Sequence, residues 1–195
     1  MCFASVRDAY LRRRFPQLAQ AFACESHLTL PERVKLYSLA RGCGVMAEIG
    51  SYLGASACCF GAAAIETGST KVICIDTWGN DAMTEGCRDT WRAFSENTLL
   101  YASSIVPIRG YSSEVLEQVQ READALDLLF VDGDHSYEGV LSDWRSYKRL
   151  LRAGSVVIFH DYGWAGGVKR VIREEVAPVV IRSGALPNMW WGILA

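Results

Sequence analysis

Apolar and polar positions follow one another along this chain in two rhythms. Short runs rich in β-branched and apolar residues, Val45 to Ile49, Lys71 to Ile75, Ile105 to Ile108, Leu126 to Val131 and Ser155 to Phe159, read as strands, and the longer stretches between them carry helical periodicity. Strand and helix in alternation is the pattern of crossover units on a parallel sheet, so five parallel strands are expected. Two helical segments precede them. One is an amphipathic opening from about residue 5 to 22. The other begins near Pro31, which after Thr29-Leu30 suits a first helical turn, where a missing N–H is no loss. Two further apolar runs, Ala177 to Ile181 and Met189 to Leu194, close the chain. The turn-forming pairs Ser183-Gly184 and Pro187-Asn188 separate them and predict a terminal hairpin.

Composition narrows this picture. With 195 residues, half of them hydrophobic, the chain can bury one sizeable core, and no repeat or composition shift marks a linker. One domain over residues 1–195 is expected, with a helical cover at about 1–42. A formal charge of -2 argues against a phosphate-binding surface, so nucleic acid is not an expected partner. The basic cluster Arg12-Arg13-Arg14 has no small-residue cleavage site after it, and no apolar run reaches the roughly 20 residues that span a bilayer. A soluble protein with no membrane partner follows. Seven cysteines, Cys2, Cys24, Cys43, Cys58, Cys59, Cys74 and Cys87, show neither a C-x-x-C pair nor a zinc-ligand rhythm. They read as reduced thiols of a cytoplasmic protein, packed as small hydrophobes. The sequence leaves the oligomeric state open, a homo-oligomer included.

Candidate chemistry begins where the first strand runs into Glu48-Ile49-Gly50-Ser51-Tyr52-Leu53-Gly54. A ligand at the carboxyl end of a parallel strand needs close backbone approach, which a side chain at Gly50 would block, and the next helix offers free N–H groups. Two glycines can equally well serve only a tight turn. Their G-x-x-x-G spacing lacks the second glycine of the G-x-G-x-x-G fingerprint, Tyr52 standing in its place, which disfavours the nicotinamide-dependent oxidoreductase reading. Asp76 ends the second strand, where an acid can accept both hydroxyls of a ribose.

Together these residues resemble motif I and the ribose-binding acid of the class I S-adenosylmethionine-dependent methyltransferases. Three further segments are similar to the macrocin-type O-methyltransferases of antibiotic sugars: Asp76-Thr77-Trp78-Gly79-Asn80-Asp81, the run from Phe130-Val131-Asp132-Gly133-Asp134-His135 through Ser136-Tyr137-Glu138-Gly139-Val140, and Phe159-His160-Asp161-Tyr162. The likeness spans about residues 28 to 175. It implies a Rossmann-like α/β fold, a seven-stranded mainly parallel sheet with helices on both faces and a C-terminal β-hairpin. It also implies S-adenosylmethionine as cofactor, its methionine part held by Glu48, Gly50, Ser51, Tyr52 and Gly54, with Asp132 nearby, and its ribose by Asp76 beside Thr77. Tyr111 and Ser112 fall where related enzymes place adenine, although Ser112 or Ser113 before Glu114 also looks like a helix start. Trp78 could stack on adenine or pack beside its strand end.

The fourth strand would deliver Asp132, Asp134 and His135 to the same edge as His160 and Asp161 from the fifth. An alcohol is too weak an acid to ionise near neutral pH, so methyl transfer to oxygen needs a base, a metal, or both. The resemblance assigns a metal to Asp132 and Asp161 and a base to His135; Mg²⁺ would suit a set of hard oxygen donors. Tyr162 stands where those enzymes carry a second acid, so the metal pattern is incomplete. Without the resemblance His135 reads as a loop hydrogen-bonding group. Asp134 reads as a cap for a helix near Ser136, and His160 as shaping the pocket. The expected activity is methylation of a small-molecule hydroxyl, on a sugar, another polyol or a phenol. A non-catalytic S-adenosylmethionine-binding protein is the other alternative.

Overall fold

The computed structural model describes residues 3–68, 71–79 and 86–195, so Cys2, Asn80 and Asp81 of the segments above lie outside it. Seven strands form one sheet: β1 (Val45–Ile49), β2 (Lys71–Asp76), β3 (Ile105–Arg109), β4 (Leu126–Val131), β5 (Leu151–His160), β6 (Val180–Leu186) and β7 (Met189–Leu194). Their order is β3-β2-β1-β4-β5-β7-β6. The first five are parallel, β7 is antiparallel to both of its neighbours, and β6 and β7 form the expected hairpin.

Period-two alternation sorts the strands between two cores. Met46, Val72, Cys74, Leu128, Phe130 and Ile158 pack on one face under α2 (Ala19–Ala23), α3 (Leu30–Ala40), α4 (Ala55–Thr67) and α5 (Trp91–Thr98). Ala47, Ile49, Ile73, Ile75, Leu129, Val131, Val157 and Phe159 pack on the other under α6 (Leu116–Glu122), α7 (Tyr137–Tyr147) and α8 (Gly166–Val171). Strands covered on both faces become almost continuously apolar, which is why they were legible as runs.

The amphipathic opening is two helices, α1 (Phe3–Arg14) and α2, parted at Phe15-Pro16 because proline opens a 3-10 turn there. The start of α3 is a capping box in which Thr29 donates its backbone N–H and its hydroxyl to Glu32 Oε2 at 2.8 and 2.7 Å. Arg33 is buried and donates to the carbonyls of Ala21, Cys24 and Leu28 at 2.5, 2.9 and 2.9 Å. This fork ties the α2–α3 connection down and sets Ser26, His27 and Leu28 at the mouth of a cavity, where a helical cover was expected.

The end of the chain corrects the expected boundaries. Residues 177–179 form a 3-10 turn, and Ser183 and Gly184 lie inside β6 instead of turning the chain. Gly184 faces Trp191, whose ring would lie 2.4 Å from a Cβ placed there, so the glycine makes room for an indole. Cys24, Cys43, Cys58, Cys59 and Cys74 are buried cysteines, and Cys87 is an exposed one. Among the described residues no helix is long and apolar enough to cross a membrane.

Candidate active site

A cavity of about 700 Å³ opens along the carboxyl edge of the sheet, lined in turn by the loops after β3, β2, β1, β4 and β5. Its floor is the turn after β1. Gly50 adopts φ +88°, and a Cβ there would stand 2.1 Å from the carbonyl oxygen of Asp132. The glycine therefore lets the β1 and β4 loops cross in contact, a backbone demand that comes before any ligand. Gly54, at φ +89°, turns the chain into α4 and leaves that helix's first amides facing the turn. Asp76 Oδ2 accepts the amides of Ser51 and Tyr52, each at 2.8 Å, and Oδ1 accepts that of Trp78 at 2.6 Å. The acid at the end of β2 thus braces the turn after β1 while lining the cavity.

Glu48 occupies the alternate face of β1 and is fully buried behind this turn. Its carboxylate oxygens and the Ser51 hydroxyl have no hydrogen-bond partner among the described residues. Burial pushes the Glu48 carboxyl up to about 7, although Ser51, Ser56 and Cys74 stand close enough to oppose it. Unpaired buried acceptors are rare in folded proteins and call for a partner.

Under the β4 and β5 loops lies a cluster of acids and imidazoles. His135 Nε2 is 2.6 Å from Asp161 Oδ2, and Asp161 Oδ1 accepts from Trp164 Nε1 at 2.8 Å and Asn188 Nδ2 at 2.9 Å. Asp161 holds φ +57°, an uncommon backbone for a non-glycine residue that these contacts sustain. His160 is buried, with Nδ1 3.0 Å from Asp132 Oδ1 and Nε2 3.8 Å from Glu32 Oε2. Burial alone would lower its pKa, but the charge of Asp132 and hydrogen bonds with Asp132, Asp161 and Glu32 outweigh it and push it up to about 12. His160 is enclosed by three carboxylates that favour its charged form. Burial raises Asp132 against the pull of this cation, whereas hydrogen bonds from His135, His160 and Asn188 overcome burial and hold Asp161 well below the usual carboxylate range. The hydrogen bond with Asp161 raises His135 above its ordinary value, against partial burial.

Donor atoms of Asp132, His135 and Asp161 lie within 4.8 Å of one another, close enough to share an ion. Mg²⁺, however, demands several oxygens in octahedral order. Both oxygens of Asp161 are hydrogen-bonded, one oxygen of Asp132 faces His160 Nδ1, and Tyr162 is half-buried against the core. Asp132 and Asp161 are the two acids of this group, and an ion there would compete with His135, His160, Trp164 and Asn188 for their oxygens.

A family model described as a methyltransferase domain matches residues 47–162, more than half of the chain and every strand from β2 to β5. The chain belongs to this methyltransferase family. Two uncharacterised proteins match the chain in sequence. One from Acanthamoeba polyphaga mimivirus is 27% identical over 41% of this chain and 38% of its own length, and one from Sinorhizobium fredii is 33% identical over 58% of this chain and 12% of its own. The chain thus spans well under half of these curated relatives. Among solved structures, cofactor-bound Rv0187 from MTB superposes with a TM-score of 0.72 at 16% identity, covering 96% of this chain and 95% of that one. The O-methyltransferase TomG from Streptomyces achromogenes, in complex with SAM, gives 0.67 at 18%, covering 100% and 91%. CalS11, a TDP-rhamnose 3'-O-methyltransferase of calicheamicin biosynthesis, gives 0.62 at 16%, covering 96% and 94%. At such identities the likeness establishes the class I fold.

Of the residues singled out from the sequence, Gly50, Ser51, Tyr52, Asp76, Thr77, Tyr111, Ser112, Asp132, His135 and Asp161 line the cavity. Glu48, Gly54 and Trp78 do not. Trp78 is fully buried with its ring centroid 4.7 and 4.8 Å from those of Trp91 and Phe94, so its side chain is core and only its amide serves the site. Ser112 and Ser113 do not cap a helix, since α6 starts after Val115 and the Ser112 hydroxyl goes to Asp143 Oδ1 at 2.5 Å. The cap of α7 is Ser136, whose hydroxyl accepts the Gly139 amide at 3.1 Å, and Asp134 holds Ser136 in place. Sequence reasoning missed Glu32, Asp143, Trp164 and Asn188, and gave His160 too small a part. Thr29-x-x-Glu32 is a legible capping box, but its second carboxylate duty toward His160 carries no local signal. Asn188 reaches Asp161 only through the antiparallel register that sets Met189 opposite His160.

Proposed function

We propose that this methyltransferase carries a methyl group from S-adenosylmethionine to a hydroxyl oxygen of a small molecule, with His135 as the base. The observation that carries this reading is the His135–Asp161 pair at 2.6 Å, at the far end of a cavity whose middle holds Asp76 and the Gly50 turn. S-adenosylmethionine supplies an electrophilic methyl on a sulfonium and leaves as S-adenosylhomocysteine. The chain's own residues position and deprotonate. Gly50, Ser51, Tyr52 and Gly54 with Glu48 form the cradle for the amino-acid part, and Asp76, beside Thr77, keeps one lone pair on Oδ1 for a ribose hydroxyl. Asp161 engages His135 Nε2, which leaves Nδ1 to take the acceptor proton as its oxygen attacks the methyl carbon. Asp161 in turn is fixed by Trp164 and Asn188, so the imidazole is oriented before substrate arrives. Asp132, held by His160, lines the same cavity. No step requires a metal.

TomG and CalS11 lend support for oxygen as the acceptor atom, and CalS11 for a sugar ring, with a polyol or phenol as the wider class. The test is release of S-adenosylhomocysteine with a panel of nucleotide sugars, glycosides and catechols. His135→Ala should lower the rate roughly 10²- to 10⁴-fold while S-adenosylhomocysteine affinity is unchanged, and chelators should leave transfer intact. Activity in the wild type should rise with pH through one ionisation above the ordinary imidazole value, because Asp161 raises that of His135. Tighter binding of NAD than of S-adenosylhomocysteine, or a fully active His135→Ala enzyme, would sink the reading.

A further inference from the structure

Three side chains that the chemistry above leaves idle meet where the helical cover touches the core. Cys24 caps the end of α2 in extended backbone, Cys58 lies one turn into α4, and their Sγ atoms are 4.0 Å apart. Arg33 of α3 reaches the same place and donates to the Cys24 carbonyl at 2.9 Å. Cys58 is fully buried, whereas Cys24 is 6% exposed and stands between the exposed residues Ala23 and Glu25. The hydrogen bond with Cys58 and the charge of Arg33 hold the Cys24 thiol below its ordinary value against burial. The same pairing, with burial, raises Cys58, and burial pushes Cys43, Cys59 and Cys74 up. A cysteine that favours the thiolate beside one that keeps its proton is the asymmetry that thiol oxidation uses. Cys24 also opens the α2–α3 connection, whose Ser26, His27 and Leu28 stand at the cavity mouth, and α4 begins at the Gly54 turn. A bond between the two sulfurs would tie the cover to the helix behind that turn.

We propose that Cys24 and Cys58 form a reversible disulfide when the protein meets a peroxide, and that this bond staples the cover over the cavity. Formation of the bond stands on the sulfur geometry, and its effect on ligand exchange rests on the methyl-donor reading. The Cys24 thiolate attacks one peroxide oxygen and the O–O bond breaks, giving a sulfenic acid and, with a proton, water. The Cys58 sulfur then attacks the sulfenic sulfur, its proton leaves with the hydroxide as a second water, and the S–S bond forms. Two thiols lose two electrons to the peroxide, and a dithiol reductant returns them. An S–S bond of about 2.0 Å requires the sulfurs to close a further ~2 Å, which the end of α2 supplies because the backbone at Cys24 has already left the helix.

Treatment of the reduced, full-length protein with hydrogen peroxide, read by intact mass and by peptide mapping without reductant, tests the bond. The wild type should lose two hydrogens and yield a peptide pair joining Cys24 to Cys58, and dithiothreitol should undo both changes. The bridge spans 34 positions of the chain, so the oxidised form should melt roughly 5–15 °C above the reduced one. Cys24→Ser and Cys58→Ser should each abolish the bridge and the shift; circular dichroism checks their folds, and should either fail to fold, the wild-type map decides. Oxidised wild type in which these two cysteines stay unlinked, or are joined to others, overturns the proposal. Dissociation of S-adenosylhomocysteine, followed by stopped flow, should slow several-fold on oxidation of the wild type and not of Cys58→Ser. An unchanged rate in the bridged protein overturns the stapling of the cover. Protein that forms the bridge yet binds no S-adenosylhomocysteine in either state overturns the methyl-donor reading and leaves the disulfide standing.

Discussion

Replacing His160 by Asn removes a positive charge from between Asp132, Asp161 and Glu32 and leaves most of the side chain's volume in place. The imidazolium lies 3.0 Å from Asp132, 3.4 Å from Asp161 and 3.8 Å from Glu32, and its side chain is 2% exposed, so solvent cannot take over its role. Removing one partner of a buried ion pair costs about 3–5 kcal/mol, because the other charge stays buried and uncompensated. In a chain of this size that is a fall in Tm of roughly 6–20 °C. The pH dependence has a fixed sign. The folded value lies far above the unfolded 6.5, so this stabilisation is complete below pH 6.5 and is lost as pH rises toward 12. Between pH 6.5 and 8.5 the wild type should lose about 2–3 kcal/mol from this group, at about 1.4 kcal/mol per unit, while the Asn variant loses none. Urea unfolding followed by circular dichroism at pH 6.5, 7.5 and 8.5 measures both quantities. A difference below about 1 kcal/mol at pH 6.5, or one that fails to narrow by pH 8.5, would show that His160 is a neutral packing residue.

Two further outcomes concern stability. Gly50→Ala combines a left-handed backbone with a Cβ 2.1 Å from the Asp132 carbonyl, so it should destabilise the fold by about 3 kcal/mol or more and not act through ligand binding alone; a thermal melt at the wild-type temperature would contradict this. Asp143→Asn should stabilise the protein at pH 8 by up to about 3 kcal/mol, because a folded value near 6 against 3.8 means that stability is lost as pH rises from about 4 through 6; a variant less stable than wild type at pH 8 would show that the carboxylate has a counter-charge in solution.

Local pattern carried much of the fold. Val45–Ile49 and Leu126–Val131 coincide with their apolar runs, because both faces of those strands are covered and every position must be apolar. The pattern failed where one face is open. Arg152, Ala153 and Gly154 belong to β5 yet are exposed, so the strand starts earlier than its apolar run. In β6, Gly184 answers to an indole across the sheet and was mistaken for a turn residue. The candidate site was legible as far as strand ends determine it. Parallel strands end together, so Gly50, Asp76, Asp132 and Asp161 had to reach one edge.

The sequence by itself determined the alternation of strand and helix, the carboxyl-edge location of the acids, and the family, since each of these is written in local spacing. Tertiary structure alone decided what those acids touch. That Asp76 braces the Ser51 and Tyr52 amides depends on β1 and β2 lying side by side, and that Gly50 must lack a side chain depends on the β4 loop crossing above it. The charge state of His160 depends on three carboxylates from α3, β4 and β5 meeting at one imidazole, and Asn188 reaches Asp161 only through antiparallel register. Electrostatic interactions fall off with distance in space, and residues up to 156 positions apart in the chain share this one volume, so no local pattern can encode them.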